Sequence, residues 1–550
     1  LSDYEGFWDS NIASRLVAPV EPEQMLFLLN GHKINEKASN KCVPDYSISL
    51  EKIESIEVLR GPASAIYGNA AIMNVVNIKT KSGLDLQGAE IALSVGSQKT
   101  YKGSFIVGAN RGNIDVALWG DVFSSNGETI KLDYRNTAHV ERYIDKPSYD
   151  FGGSFKWNGF ELLFDLSYGH KVAPKSLYCS DKGWGYEYDS IPKYNGNGIG
   201  SAHLDYLLGM AYAKKLGNLT LSADGAYTNK EIQIYSANEN GDKRRVFTID
   251  NWREEGVDLR LVASYECKNI WGDLLLMGGL NFEYMNVYDC VSLYGNFSDS
   301  TLFYDRAHDV RPGRENAISP FLPFKQDFGS HWVLNASLGY DMRYLSGGKL
   351  NHLLSPRVSL IYLKNKNFNV KFNYGRAFVN VPYYYRESDR YLADYLDTNT
   401  PEIIDAFQIN SNWKFSKKWS INAVMFYNSL HNIIIANPNS EILVVEYDNN
   451  NKMQNIGLET ELKYNTKEKD RFMLNFQMTL QHSISFNDEY YDRVQDMPNF
   501  MCNLLLGYKV LNKQKHSIWL TTNTRVVGAQ KLCNQENLPG HVLFHAGISF

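Results

Sequence analysis

Two stretches of this chain bring rings and charges close enough together to hold a ligand. In Tyr178-Cys-Ser-Asp-Lys-Gly-Trp-Gly-Tyr-Glu-Tyr, the rings of Trp184, Tyr186 and Tyr188 stand among acidic and basic neighbours. In Pro382-Tyr-Tyr-Tyr-Arg-Glu-Ser-Asp-Arg-Tyr, Tyr383, Tyr384 and Tyr385 run into Arg386. Such surfaces take ring systems and chelates by stacking and by cation–π contact; girdling a membrane interface is the commoner use of such tyrosines. Catalytic chemistry finds no comparable support. His541 and His545 are four apart, but no glutamate lies between them and the segment alternates as a strand, so this is not a zinc motif. Gly196-Asn-Gly-Ile-Gly lacks the strand-to-helix setting of a dinucleotide site. Cys42, Cys179, Cys267, Cys290, Cys502 and Cys533 show neither a CxxC nor metal spacing. A loop disulfide between Cys179 and Cys290 is one arrangement; unpaired thiols are the other. No Ser/His/Asp set emerges, so no enzyme, cofactor or metal centre is expected.

The elements that must position these residues are strands. Aromatic residues make up 13% of the 550-residue chain, including 36 Tyr and 27 Phe, which is heavy for a soluble protein. Aromatic belts at two membrane interfaces would account for them. No apolar run of transmembrane-helix length is present: Gly61 to Ile78 is interrupted by Pro62, Gly68, Asn69, Asn74 and Asn77. The formal net charge of −5 excludes the basic excess that nucleic acid would require. From residue 88 onward the dominant period is two. Phe368, Val370, Phe372 and Tyr374 alternate with Asn369, Lys371 and Asn373, and Phe160, Leu162, Phe164, Leu166 and Tyr168 flank Glu161, Leu163, Asp165 and Ser167. Each such segment has one oily and one wet face.

These segments are long enough to cross a bilayer at a tilt, which takes about 9–11 residues. Tight connections at 217–218, 364–367 and 416–418 alternate with long polar stretches at 125–146, 171–201, 231–253, 290–313, 379–400, 436–453 and 487–497. Short turns on one side and long loops on the other are the organisation of a bacterial transmembrane β-barrel, and the spacing gives about twenty antiparallel strands. A soluble propeller would need a repeat of roughly 40–50 residues, and none is found.

Residues 1–85 are different. Met25-Leu-Phe-Leu-Leu-Asn-Gly-His-Lys-Ile-Asn reads as a buried strand, a glycine turn and a second strand. Ile53-Glu-Ser-Ile-Glu-Val-Leu reads as a helix end running into a strand, followed by Arg60-Gly-Pro-Ala-Ser-Ala-Ile-Tyr-Gly and Val75-Val-Asn-Ile-Lys-Thr-Lys. The expectation is a small α/β domain of a size to stopper a wide lumen. Gly61, Pro62, Tyr67 and Gly68 form its turn motif, where glycine permits turn angles that other residues resist.

These segments, in this order, resemble the plug domain of TonB-dependent receptors. Ser355-Pro-Arg-Val-Ser-Leu-Ile-Tyr, Phe372-Asn-Tyr-Gly-Arg-Ala-Phe, Pro401-Glu, Asn455-Ile-Gly-Leu-Glu-Thr-Glu-Leu and Leu538-Pro-Gly are similar to barrel segments of the same family. The resemblance implies a barrel of 22 strands around a plug, residues 1–85 being plug and 86–550 barrel. It also implies that the TonB box and the first part of the plug precede Leu1 and that a final hairpin follows Phe550; the alternative is that Phe550 is the C-terminal aromatic ending the last strand. It implies import of a scarce nutrient across the bacterial outer membrane, a ferric siderophore or cobalamin-type chelate, driven by TonB with ExbB and ExbD. A glycan importer of the SusC-like class, working with a surface lipoprotein, is the alternative. A passive porin is disfavoured, because the plug would block diffusion.

A plug must be held firmly yet released on demand, and buried charge pairs suit this. In Ile456, Leu458, Thr460, Leu462 and Tyr464 the apolar face is even-numbered, so Gly457, Glu459, Glu461 and Lys463 face the lumen. The resemblance points independently to Glu459 as the partner of Arg60. By the same parity Glu402 and Gln408 share the lumen side of their strand, although the family often carries a carboxylate where Gln408 stands. Arg15 is similar to a second plug arginine.

Overall fold

The computed structural model describes residues 24–42, 47–126, 130–131, 139–140, 146–172, 193–239, 245–296, 304–305, 310–387, 400–437, 446–464, 470–486, 491–493, 497–513, 516–531 and 537–549. The first described unit is a four-stranded sheet. Strand β1 (Met25–Leu29) pairs with β2 (His32–Lys33) across the Asn30-Gly31 turn, and β3 (Ile53–Arg60) is the far edge beyond β4 (Asn74–Thr80). The central pair, β1 and β4, runs parallel, and every residue of β1 is buried. That follows from its unbroken apolar sequence, Met-Leu-Phe-Leu-Leu, which suits a strand covered on both faces. Helix α1 (Ser64–Tyr67) and helix α2 (Gly83–Leu86) are single turns. Residues 53–60 are strand throughout, where the sequence suggested a helix end. A register slip between Ile53 and Ser55 inserts a residue, so the apolar positions 53 and 56 fall three apart and imitate a helical spacing.

Twenty long strands follow. The first five are β5 (Gly88–Gly96), β6 (Thr100–Arg111), β7 (Ile114–Ser124), β8 (Ser148–Trp157) and β9 (Phe160–Val172). The next five are β10 (Gly200–Leu216), β11 (Leu219–Glu239), β12 (Arg245–Lys268), β13 (Asp273–Asn296) and β14 (Gly313–Phe328). Then come β15 (Trp332–Tyr344), β16 (Leu350–Asn365), β17 (Phe368–Val379), β18 (Glu402–Trp413) and β19 (Trp419–Asn437). The last five are β20 (Glu446–Tyr464), β21 (Phe472–Phe486), β22 (Phe500–Lys513), β23 (His516–Val527) and β24 (His541–Ser549). Each pairs antiparallel with its neighbours in sequence, and the sheet curls into a barrel around the four-stranded unit. Ladders run from β5 through to β24, and among the described residues none joins those two strands to each other.

The region expected as a polar loop at 231–253 is mostly ladder: β11 and β12 pair from Leu219 and Tyr265 out to Glu239 and Arg245. Strand β13 likewise reaches Asn296, and β20 begins at Glu446. The hydrogen-bonded ribbon continues past the level where one face must be oily. The two-residue hydrophobic period disappears there while the pairing does not.

Odd–even alternation separates the faces. On β18, Phe407, Ile409 and Trp413 are exposed on the outside, whereas Glu402, Ile404 and Ala406 are buried inward. Near the short turns the outer surface carries a chain of ring contacts: Trp332–Tyr362 at 4.8 Å, Trp413–Phe415 at 5.5 Å, Trp419–Tyr464 at 5.2 Å and Tyr464–Phe472 at 5.3 Å between centroids. This is an interfacial aromatic girdle. No helix among the described residues is long and apolar enough to cross a membrane.

Candidate functional site: the boundary between plug and barrel

The described chemistry concentrates where the small domain meets the inner wall. Beyond β3, Gly61 turns at a φ of +90°, an angle that a side chain resists, and a Cβ there would lie 2.9 Å from the Gln408 amide nitrogen. Pro62 packs on Gly375 of β17. The Ser64 hydroxyl accepts from the Phe378 amide at 3.2 Å, and the Asn69 side-chain oxygen accepts from the Asn380 amide at 2.9 Å. The Arg260 guanidinium lies 5.8 Å from the centre of the Tyr67 ring. Gly68, at φ +75°, closes α1. The turn motif thus seats the small domain on β17 and β18.

Arg60 Nη1 stands 3.4 Å from Glu459 Oε2, with the arginine side chain 65% exposed. Among the described residues Glu402 meets no arginine: it accepts from the Gln24 side chain at 2.7 Å and from the Ile434 amide at 2.8 Å. Gln408 lies against Gly61 and makes no ion pair, since an amide carries no charge. Tyr383, Tyr384 and Tyr385 belong to a short helix α3 (Tyr383–Arg386) and are buried, not spread on an open loop. The Tyr384 amide donates to the Ala38 carbonyl at 3.0 Å, and its ring lies 5.3 Å from that of Trp252. The Tyr383 hydroxyl donates to the Arg311 carbonyl at 2.7 Å, and Arg386 pairs with Glu315 at 2.6 Å. A run of three aromatic residues buries itself wherever apolar wall is offered. Trp184, Tyr186, Tyr188, Arg15 and Cys179 lie outside the described residues; Cys290, the other half of the considered disulfide, carries a free thiol.

The strongest attachments involve lysines that sequence reasoning did not single out. Lys52 reaches Asp150 at 2.6 Å and Asp165 at 2.8 Å, with its side chain 1% exposed. Trp119 donates to both carboxylates and its ring lies 5.5 Å from the ammonium. Burial works against the lysine charge, but the two carboxylates outweigh it and hold the ammonium above its ordinary value. Lys33 pairs with Glu283, which also receives Arg343 at 2.7 Å. Lys37 pairs with Asp258 at 2.6 Å, while the amides of Lys37 and Ala38 donate to the two oxygens of Glu254 at 2.6 and 2.9 Å. Glu51 receives Lys102 at 2.9 Å. His32 packs against β10, where a Cβ on Gly209 would lie 2.5 Å from the ring; burial lowers its pKa from the ordinary 6.5. Alternation did mark Asp165 as a wet-face residue. The plug lysines gave no signal, because a lysine beside a turn reads as solvated.

A charged inner seam, an oily outer wall and an internal stopper are joint features of one family. Residues 6–75 match the TonB-dependent receptor plug domain, and residues 119–550 match the TonB dependent receptor-like β-barrel. The chain belongs to the TonB-dependent receptor family. Among curated proteins, the vitamin B12 transporter BtuB of Vibrio cholerae is 24% identical over 425 residues, covering 74% of this chain. This chain spans 60% of that relative's length. Among solved structures, the ferric citrate transporter FecA superposes with a TM-score of 0.73 at 16% identity, covering 98% of this chain and 83% of that one. The ferric yersiniabactin uptake receptor FyuA of Yersinia pestis gives 0.70 at 12% identity, covering 99% and 84%. The structures share the fold.

Proposed function

We propose that this chain is the plugged barrel of an outer-membrane importer that takes up a ferric siderophore or cobalamin-type chelate, energised by TonB with ExbB and ExbD. One observation carries the reading: the lumen is stoppered by a domain strapped to the wall through buried charge pairs, so a solute cannot diffuse through without work being done on the plug. Residues 1–85 act as the plug and 86–550 as the barrel. The named relatives, a vitamin B12 transporter and receptors for ferric chelates, favour a metal chelate over a glycan. Arg60 and Glu459 act as a releasable contact. Glu402 holds the entry to β1 through Gln24, and Gln408 cradles the turn at Gly61. The buried tyrosines of α3, with Arg386, connect the outer mouth to the plug at Ala38. Growth of a deletion strain on single sources of iron, cobalamin or glycan tests this. Complementation by the complete protein on a chelate source alone is the expected outcome, and complementation on the glycan source alone would contradict it.

A further inference from the structure

The rim of short turns carries its charge unevenly. On one side, lysines at the turns face carboxylates: Lys156 meets Glu161 at 3.2 Å, Lys215 meets Glu266 at 3.9 Å and Lys268 meets Asp273 at 3.6 Å. The turns after β16 and β18 are different. Lys364-Asn-Lys-Asn and Lys414-Phe-Ser-Lys-Lys hold five lysines and no acidic residue, in a chain whose net charge is −5. Lys418 reaches Asp470 at 2.7 Å. Lys364, Lys366, Lys414 and Lys417 are exposed, and among the described residues none of the four lies in an ion pair.

The two turns make one patch. Strands β17 and β18 pair from Phe368 and Trp413 onward, and the Lys414 amide donates to the Asn367 carbonyl at 2.7 Å. A polar side chain braces each turn from within. The Asn365 side-chain oxygen accepts from the amides of Asn367 and Phe368 at 2.8 and 2.9 Å. The Ser416 hydroxyl accepts from the amides of Lys418 and Trp419 at 3.2 and 3.1 Å. Lys364 is the inserted residue of a bulge, between Leu363 opposite Asn369 and Asn365 opposite Phe368, and a bulge re-aims the side chain it carries.

Rings set the depth of the patch. Trp413 is half exposed on the outer wall, and Phe415, 47% exposed, stacks on Trp419 at 6.4 Å between centroids. Rings of the aromatic girdle lie at the level of the lipid headgroups. Phe415 stands inside the basic turn itself. In open water its apolar surface would stay uncovered, whereas a bilayer surface would cover it. The ammonium groups beside it then stand level with the lipid phosphates.

We propose that Lys364, Lys366, Lys414 and Lys417, with Trp413 and Phe415, form a docking site for anionic phospholipid headgroups of the periplasmic leaflet. The site goes beyond the import reading and rests only on the chain spanning a bilayer with its short turns toward the periplasm. Unpaired ammonium groups favour a lipid of net negative charge over a zwitterionic one, whose own amine offsets its phosphate. Free phosphate would satisfy the lysines but leave both rings uncovered, so the lipid fits the whole patch.

The test places the full chain in phosphatidylcholine vesicles with a trace of spin-labelled phosphatidylglycerol or spin-labelled phosphatidylcholine. Electron spin resonance then reads how strongly the protein restricts each lipid. The unaltered chain is expected to favour phosphatidylglycerol severalfold, less so as salt is added. Lys364→Gln with Lys366→Gln, Lys414→Gln and Lys417→Gln is expected to remove most of that preference, and arginine at the same four positions to keep it. Lys156→Gln with Lys215→Gln and Lys268→Gln is expected to leave it unchanged. Electrophoretic mobility before and after heating confirms that each barrel is folded, and either turn's pair of substitutions alone replaces a fourfold variant that is not. The proposal is overturned if the unaltered chain shows no preference, if the glutamine variant keeps it, or if the paired-lysine variant loses as much. Abolition of the preference by inorganic phosphate at matched ionic strength would assign the patch to the free anion and overturn it equally.

Discussion

At the scale of single residues, burial decides which charge pairs matter. Lys52→Ala would leave Asp150 and Asp165 facing each other without their cation in a buried site, a change that costs about 3–5 kcal/mol. Arg60→Ala removes a contact whose arginine is largely in water, worth less than about 1 kcal/mol. Protease cleavage of the plug across a urea series should therefore shift far more for Lys52→Ala than for Arg60→Ala; equal shifts would refute the ranking. His32 adds a pH dependence. Its folded pKa lies below the unfolded 6.5, so the folded chain binds less proton between those values. The stabilisation is complete above about pH 6.5 and is lost as pH falls below it. The thermal midpoint should fall less steeply between pH 7 and 5 in His32→Gln than in the unaltered chain.

At the scale of elements, alternation made the barrel legible and hid part of it. The facing of Glu459, Glu461 and Asp165 followed directly from the period of two, because one face of each strand must meet lipid. Where β11 and β12 rise beyond that level, both faces meet water or loops, and the same ribbon reads as loop. The bulge at the start of β3 disguised a strand as a helix end for a related reason: one inserted residue changes the spacing without breaking the ladder. The plug's lysine contacts were illegible because they join positions about a hundred residues or more apart. At the turns, backbone angle and space act together. Gly61→Ala meets both a φ of +90° and the Gln408 amide, and should cost about 1–3 kcal/mol. Gly31→Ala, at φ +91° but with open space around it, should cost less. Hydrogen exchange of the β1 and β4 amides checks this order.

At the scale of the whole molecule, the plug lies inside the barrel, and the import reading requires that outside work shift it before a solute passes. Reversal of one partner in the exposed contact, Glu459→Arg, should admit more of a bulky antibiotic into cells, read as a lowered inhibitory concentration; unchanged sensitivity would remove that contact from the gate. The central claim is energised import, and uptake tests it most directly. Cells carrying the complete protein would be given radiolabelled cyanocobalamin and ferric siderophores, with the TonB complex present or deleted. Accumulation of one chelate only when the complex is present is the predicted result. Accumulation at the same rate in both strains would show a diffusion pore and contradict the account.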